Sequence, residues 1–281
     1  MKILVTGSGK SGSWIVRGEQ IGAALGALVK PHATLADMGA ADVILVVKRC
    51  TPELLAGLQI CGRPWVFDVV DPYPQPGCHS WSPYESIAWL QALIHRLRPN
   101  AVVWPTERMR EDGGGVGKVI RHHHRPGIER NPIRERIEVV GYEGSVRYLD
   151  DGLLEAITAE CQQRGARFVV NPPQLAELDV VVALRSPRWT SYAAQHWKSG
   201  VKLSNAHASG TPFIGARECG YVEIATGGEE WAASAADVGA ALDVLAPRAV
   251  RLAISERFVA QTFHVKSAAA QMQAVLCALK S

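Results

Sequence analysis

The sequence predicts an α/β protein of two Rossmann-like domains facing across a cleft. Three observations predict it. Short runs of Val, Ile and Leu recur along the chain without polar alternation, as at Val43–Val47, and such runs suit strands buried on both faces of a parallel sheet. Helix-length segments separate them, and strand–helix alternation marks βαβ units. The 281 residues correspond to roughly two domains at about 150 residues each, either long enough to bury its own core.

In the first half, strands are expected at 2–6, 42–48, 65–70, 101–106 and 119–123. In the second half they are expected at 137–142, 167–171, 179–184 and 212–216. The intervening helices are expected at 14–28, 52–58, 84–97, 152–164, 198–208 and 234–245. The stretch 249–279 reads as helix broken near 262–264. The segment PGIERNPIRERI, with two prolines and several charges between strand-like runs, places the boundary near residue 130 and gives domains 1–130 and 131–281.

Hydrophobic residues make up 47% of the chain and charged residues 20%, which excludes wholesale disorder, collagen and coiled coil. No apolar run approaches the ~20 residues of a membrane span. The opening MKILVTGSG reads as a first strand entering a glycine turn, not as a secretory signal. Thirty basic against 27 acidic residues give a net charge of +3, too little by itself to indicate a nucleic-acid partner. Cys50, Cys61, Cys78, Cys161, Cys219 and Cys277 are scattered without a C-x-x-C pair, which suits free thiols and a cytoplasmic setting.

In open α/β sheets ligands bind at the carboxyl ends of the strands. The segments there are GSGKSGSW (7–14), DPYPQPGCHSW (71–81), PTERMRED (105–112) and HHHRPG (122–127). In the second half they are GYEGS (141–145), NPP (171–173), RSPRW (185–189) and GARECGY (215–221). The P-loop pattern needs a glycine where Leu4 stands. Gly7, Gly9 and Gly12 match the G-x-G-x-x-G string, but the acidic partner would have to be Asp37, after the weak run 33–35; the tight-turn reading of Gly9, Lys10 and Ser11 competes with a dinucleotide site. His122, His123 and His124 alternate faces on a strand, so the three cannot converge on one ion; His122 and His124 alone could, but no carboxylate or cysteine stands at a suitable spacing, so no metal site is expected.

The richest segment is 197–224, WKSGVKLSNAHASGTPFIGARECGYVEI. Lys198 and Lys202 are four apart and share a face on a helix. With Ser199 or Ser204 capping, that N-terminus would suit a diphosphate; a solvated basic face is the alternative.

This segment resembles the donor half of GT-B glycosyltransferases, whose pattern is a helix, A-x-G-x-P, a short strand, a glycine loop and an acidic residue. Here it reads NAHASGTPFIGARECGYVEI, followed by GGEEW and SAADVGAALDVL. The terminal ERFVAQTFHVKSAAAQMQAVL is similar to the superfamily's closing helices, the last of which packs back on the first domain. The resemblance covers 137–281, with ADVILVVK and WVFDVVD supporting it in the first half. It implies a cytoplasmic, metal-independent transfer of a sugar from a nucleotide diphosphate to an acceptor hydroxyl, without a further cofactor. The first domain would serve the acceptor through Gly9, Lys10 and Ser11, and the second would bind the nucleotide-sugar. Many retaining members carry two glutamates where this chain has Trp197 and Asn205, so the ribose contact would fall to Glu218 or Glu223.

On this reading Arg185, Lys198, Lys202 and the amides of Ser204 and Asn205 stabilise the leaving diphosphate, and the turn from Gly141 to Gly144 admits the donor to the backbone. Asp71, His79 and His123 are the base candidates, and Trp189 is a stacking candidate. The alternatives are a two-lobed nucleotide- or ligand-binding protein without catalysis, an enzyme using GSGKSG for a nucleotide, and a glycosyltransferase with a nucleic-acid acceptor met by Arg121, Arg125, Arg130, Arg134 and Arg136.

Overall fold

The computed structural model describes residues 1–9, 11–72 and 80–279. The chain forms two compact units. The first comprises Met1–His123, His196–Ser199 and His264–Ser281; the second comprises His124–Gln195 and Gly200–Phe263. Residues 124–130 thus belong with the second unit, and the closing helix with the first.

The first unit runs β1 (Ile3–Gly7), α1 (Ile21–Ala24), β2 (Leu28–Val29), α2 (Leu35–Ala40), β3 (Val43–Val47), α3 (Pro52–Cys61), β4 (Trp65–Asp68), α4 (Pro83–Leu97), β5 (Ala101–Trp104), α5 (Glu107–Asp112) and β6 (Lys118–Val119). The strands form a parallel sheet in the order β2-β1-β3-β4-β5-β6. Every residue of β1, β3 and β4 is buried, as strands covered on both faces of a parallel sheet are. Local chemistry sets the helix starts. Thr34 with Asp37 and Ser82 with Glu85 form reciprocal capping boxes, and Pro52 and Pro83 follow their caps.

The second unit runs β7 (Val139–Tyr142), α6 (Asp150–Gln163), β8 (Arg167–Val170), β9 (Val180–Ala183), α7 (Tyr192–Trp197), α8 (Val201–Ser209), β10 (Phe213–Gly215), α9 (Cys219–Val222), β11 (Glu230–Trp231), α10 (Ala235–Leu245) and α11 (Arg248–Ala260). The last two residues of α7 fall in the first unit. The parallel sheet has the order β11-β10-β9-β7-β8. Val140, Val181, Val182, Leu203, Phe213, Ile214 and Leu242 are among its core. The closing helix α12 (Val265–Ala278) packs on α1 and β4 of the first unit.

Both sheets are doubly wound, with the strand order reversing between β1 and β3 in one and between β7 and β9 in the other. Those two reversals are where the fold opens a ligand crevice.

Three expectations need correction. The predicted helix 14–28 opens with a wide π-helical stretch, Trp14–Gln20, and ends at Ala24, leaving Leu28 for an edge strand. The strand expected at 119–123 stops at Val119, so His122 and His123 lie in irregular chain. The two-residue edge strands β2 and β11 are too short to carry a hydrophobic period. The helix expected at 198–208 begins at Val201, after a break at 198–200. Gly200, the N-cap of α8, is packed tightly at this point: a Cβ on it would stand 2.3 Å from the Gly220 carbonyl oxygen.

Candidate functional site

At the carboxyl edge of the second sheet, β7 ends in Tyr142-Glu143-Gly144 and β9 leads into Arg185. Lys202, in the first turn of α8, places Nζ 3.8 Å from the centroid of the Tyr142 ring. That contact holds the ammonium by the ring's negative face. Gly144 has φ of 132°, and a Cβ there would stand 3.3 Å from Lys202 Nζ, so the absence of a side chain keeps room beside the ammonium. Gly144 donates its N–H to Asn171 Oδ1 at 2.7 Å and accepts from Asn171 Nδ2 at 3.0 Å, fixing the turn.

Arg185 Nε donates to Glu218 Oε1 at 2.6 Å, with side-chain exposures of 8% and 5%. Glu218 Oε2 is buried and accepts no hydrogen bond among the described residues. Burial pushes the Tyr142 phenol up to about 12, with Arg185 opposing the rise and Glu218 adding to it. Tyr148 and Trp189 meet edge to face at 5.1 Å. Arg147 lies over both rings at 5.0 and 5.5 Å, Arg185 over Tyr148 at 4.8 Å, and Arg188 over Trp189 at 5.7 Å. Stacking of this kind fixes a guanidinium plane, and Arg147 also donates from Nη2 to the Tyr148 hydroxyl at 3.1 Å.

The carboxyl edge of the first sheet holds a separate charged cluster. Asp71, three residues past β4, accepts from Lys48 Nζ at 2.7 Å and from Lys198 Nζ at 2.8 Å. Lys48 also donates to Ser13 Oγ at 3.2 Å. Burial raises the Asp71 pKa, but the two ammonium groups outweigh it and hold the carboxyl far below the usual range. Lys48 sits at the centre of a tight turn closed by Arg49 N–H to the Val47 carbonyl at 2.7 Å, with φ of 66°. A non-glycine residue in that conformation stores strain of about 1–3 kcal/mol. Lys198 is delivered by the segment His196–Ser199, which Trp197 anchors: its indole is fully buried and donates to Asp112 Oδ2 at 2.7 Å. Beneath the cluster, Arg17 and Asp68 form a fully buried ion pair at 2.7 Å. Burial, with the Arg17 charge next, pushes the His122 pKa well below its usual value.

The structure redistributes the expected site residues. Lys198 and Lys202 do not share a helix face: the first lies in the irregular segment with Asp71, the second on α8 with Tyr142. Neither Ser199 nor Ser204 caps α8, whose N-cap is Gly200. The Ser204 amide donates within the helix to Gly200, and Asn205 lies in the helix body, so neither amide is one of the free N–H groups at the start of a helix. The Asn205 side chain bonds Glu143 Oε2 at 2.9 Å and the Arg125 amide at 3.0 Å. Gly141 lies inside β7, where a Cβ would strike Leu178 at 2.5 Å; packing, not access to a ligand, requires that glycine.

Glu223 closes α9, while Glu218 is the carboxylate paired with Arg185. His123 is fully buried with Nε2 2.8 Å from Gln20 Oε1. Gly9 has φ of 65°, and Ser11 Oγ accepts from the Trp14 amide at 3.2 Å. Lys10 and His79 lie outside the described residues. Asp37 caps α2 and pairs with Lys30, so it does not end a second strand as a dinucleotide site demands. Of the arginines at 121–136, Arg125 pairs with Glu143 and Arg134 with Asp179.

Lys48, Ser13, Glu143 and Arg147 lie outside the residues expected from sequence. Lys48 had a signal, since it ends the strand expected at 42–48. Ser13 and Glu143 have only their positions in the loops after β1 and β7.

No family model and no curated protein matches the chain. Solved structures do. The chain is similar to Anabaena HepE in complex with UDP and glucose, over 99% of each chain, at 15% identity and a TM-score of 0.70. It is similar to HepE in complex with UDP-glucose over 99% of this chain and 100% of that one, at 15% identity and a TM-score of 0.67. The glycotransferase of kitacinnamycin matches over 98% of this chain and 99% of that one, at 12% identity and a TM-score of 0.54. These likenesses define the class of fold: two parallel α/β sheets of GT-B type, as the sequence predicts.

Proposed function

We propose that the protein is a glycosyltransferase that takes its sugar from a nucleoside diphosphate, with UDP-glucose or a similar UDP-sugar bound by the second unit. The observation that carries this reading is the pairing of fixed cations and a buried acceptor at the β7/β9 reversal. Lys202 rests on Tyr142, Arg185 is held by Glu218, and Glu218 retains a buried oxygen with lone pairs to offer. The HepE structures, alike in fold, hold UDP and UDP-glucose, which supports the choice of nucleotide.

In this reading Lys202 and Arg185 balance the charge that develops on the departing diphosphate. Fixed charges contribute most when they need no reorganisation at the moment of reaction, and the ring and carboxylate contacts supply that rigidity. Arg147 and Arg188 present further N–H edges on the same loops. Glu218 Oε2 accepts a hydroxyl of the ribose or the sugar. Two cations serve the leaving group without a metal, so transfer is expected to persist in a chelator. Asp71 is a weak base in this setting, because removing its charge means breaking two ammonium contacts.

A thermal-shift panel of UDP-, GDP-, ADP- and CMP-sugars, repeated on Lys202→Ala, tests the reading. A ligand at 100 times its Kd stabilises a fold by about 2.7 kcal/mol. A UDP-sugar is expected to raise Tm, and the variant to need a higher concentration for the same rise. Absence of any nucleotide response in the wild type, or an equal response in the variant, overturns it.

A further inference from the structure

The charged cluster of the first unit is not part of the donor site proposed above. We propose that Lys48 and Lys198, organised by Asp71 and Ser13, bind an anionic group, a phosphate or a carboxylate, on the acceptor. The word acceptor rests on the transferase reading; the anion site does not.

The cluster is assembled from four separate points of the chain at the carboxyl edge of the sheet, beside the β1/β3 reversal. That is the ligand edge of a doubly wound fold. Pinning the segment His196–Ser199 requires one ion pair, and Lys198 with Asp71 provides it. Lys48 is not needed for that purpose, yet its backbone is held in a left-handed turn that brings its ammonium to the same carboxylate. Strained residues of this kind gather where a ligand is met.

The local charge favours an anion. Among the described residues two ammonium groups face the Asp71 carboxylate, while Arg17 and Asp68 beneath them cancel. An ammonium carries three donors, and among the described residues Lys48 commits two of them, to Asp71 and Ser13, which leaves one for a ligand oxygen. Its side chain is 18% exposed and that of Asp71 15%, so a small ligand reaches the cluster while bulk water is largely kept away. A carboxylate between the lysines holds them at a fixed spacing before the ligand arrives, which preserves their contribution to binding.

Isothermal titration of the full chain with glucose 6-phosphate, glucuronate and glucose tests this, with Lys48→Met and Lys48→Arg in parallel. One anionic probe is expected to bind about tenfold tighter than glucose, as one charge-assisted contact supplies. Which of the two binds identifies the anion. Lys48→Met is expected to abolish that preference and Lys48→Arg to retain most of it, with UDP affinity unchanged in both. The proposal is overturned if the wild type binds neither anionic probe better than glucose, a comparison that needs no variant, or if Lys48→Met keeps the full preference. Loss of UDP binding in the wild type alongside a Lys48-dependent preference removes the transferase reading and leaves the anion site standing.

Discussion

Arg185 and Glu218 form an ion pair at 2.6 Å with both side chains almost wholly out of water. Breaking such a pair from one side leaves a buried charge without its counterion and costs about 3–5 kcal/mol. Arg185→Ala is therefore expected to lose stability in that range by urea denaturation. Replacing both partners by Met and Leu removes the stranded charge and is expected to recover much of the loss, while UDP-sugar binding stays impaired. A stable, fully binding double variant contradicts a donor role for the pair.

Lys202 and Tyr142 separate a charge from the surface that aims it. Lys202→Met removes the cation and is expected to weaken UDP binding by about 1.5–3 kcal/mol, the range of a hydrogen bond to a charged group. Tyr142→Leu keeps the cation but removes the ring, and a loss of about 0.5–2 kcal/mol is expected. Titration calorimetry on the two variants checks the order. A larger loss from Tyr142→Leu than from Lys202→Met would mean that the ring, not the ammonium, is what the ligand senses.

Much of the fold was legible because β3 and β9 are uninterrupted aliphatic runs and helix-length segments separate the strands. The site was less so. Lys198 and Lys202 are four apart in sequence, and only the backbone crowding of Gly200 by Gly220 reveals that no helix joins them. The partners of Asp71 come from Ser13, Lys48 and Lys198, with sequence separations up to 127 residues, and no local pattern encodes such a meeting. Glu218 was legible as a carboxylate in the glycine loop, whereas its bond to Arg185 depends on two strand ends being neighbours in the sheet.

Gly200→Ala provides a test of the helix break. Its φ of −78° is open to any residue, so backbone preference does not demand glycine. The demand comes from the Gly220 carbonyl oxygen, 2.3 Å from where the new Cβ would stand, and from Ile224 Cδ1 at 2.7 Å. A backbone oxygen cannot swing aside as a side chain can. Overpacking of this sort costs about 1–3 kcal/mol, and a lowered urea midpoint with an unchanged m-value is the expected result. An unaltered midpoint would show that the α9 backbone yields freely.

Asp71 makes stability depend on acid in a defined direction. Burial works to raise its pKa, but Lys198 and Lys48 outweigh burial, and the folded-state value falls far below that of the unfolded chain. A carboxyl depressed in this way stabilises the fold fully at pH values above the ordinary aspartate value of about 4, and the contribution is lost as pH falls from there toward the folded-state value. Asp71→Asn abolishes the charge at every pH. The variant is expected to be less stable than the wild type by about 1.5–3 kcal/mol between about pH 6 and 8, the range of charge-assisted hydrogen bonds. The gap is expected to narrow progressively below about pH 4. Urea titrations of both proteins across that range measure it directly. A gap that widens in acid would mean that the two lysines repel each other more than the carboxylate binds them, and that Asp71 does not organise the cluster.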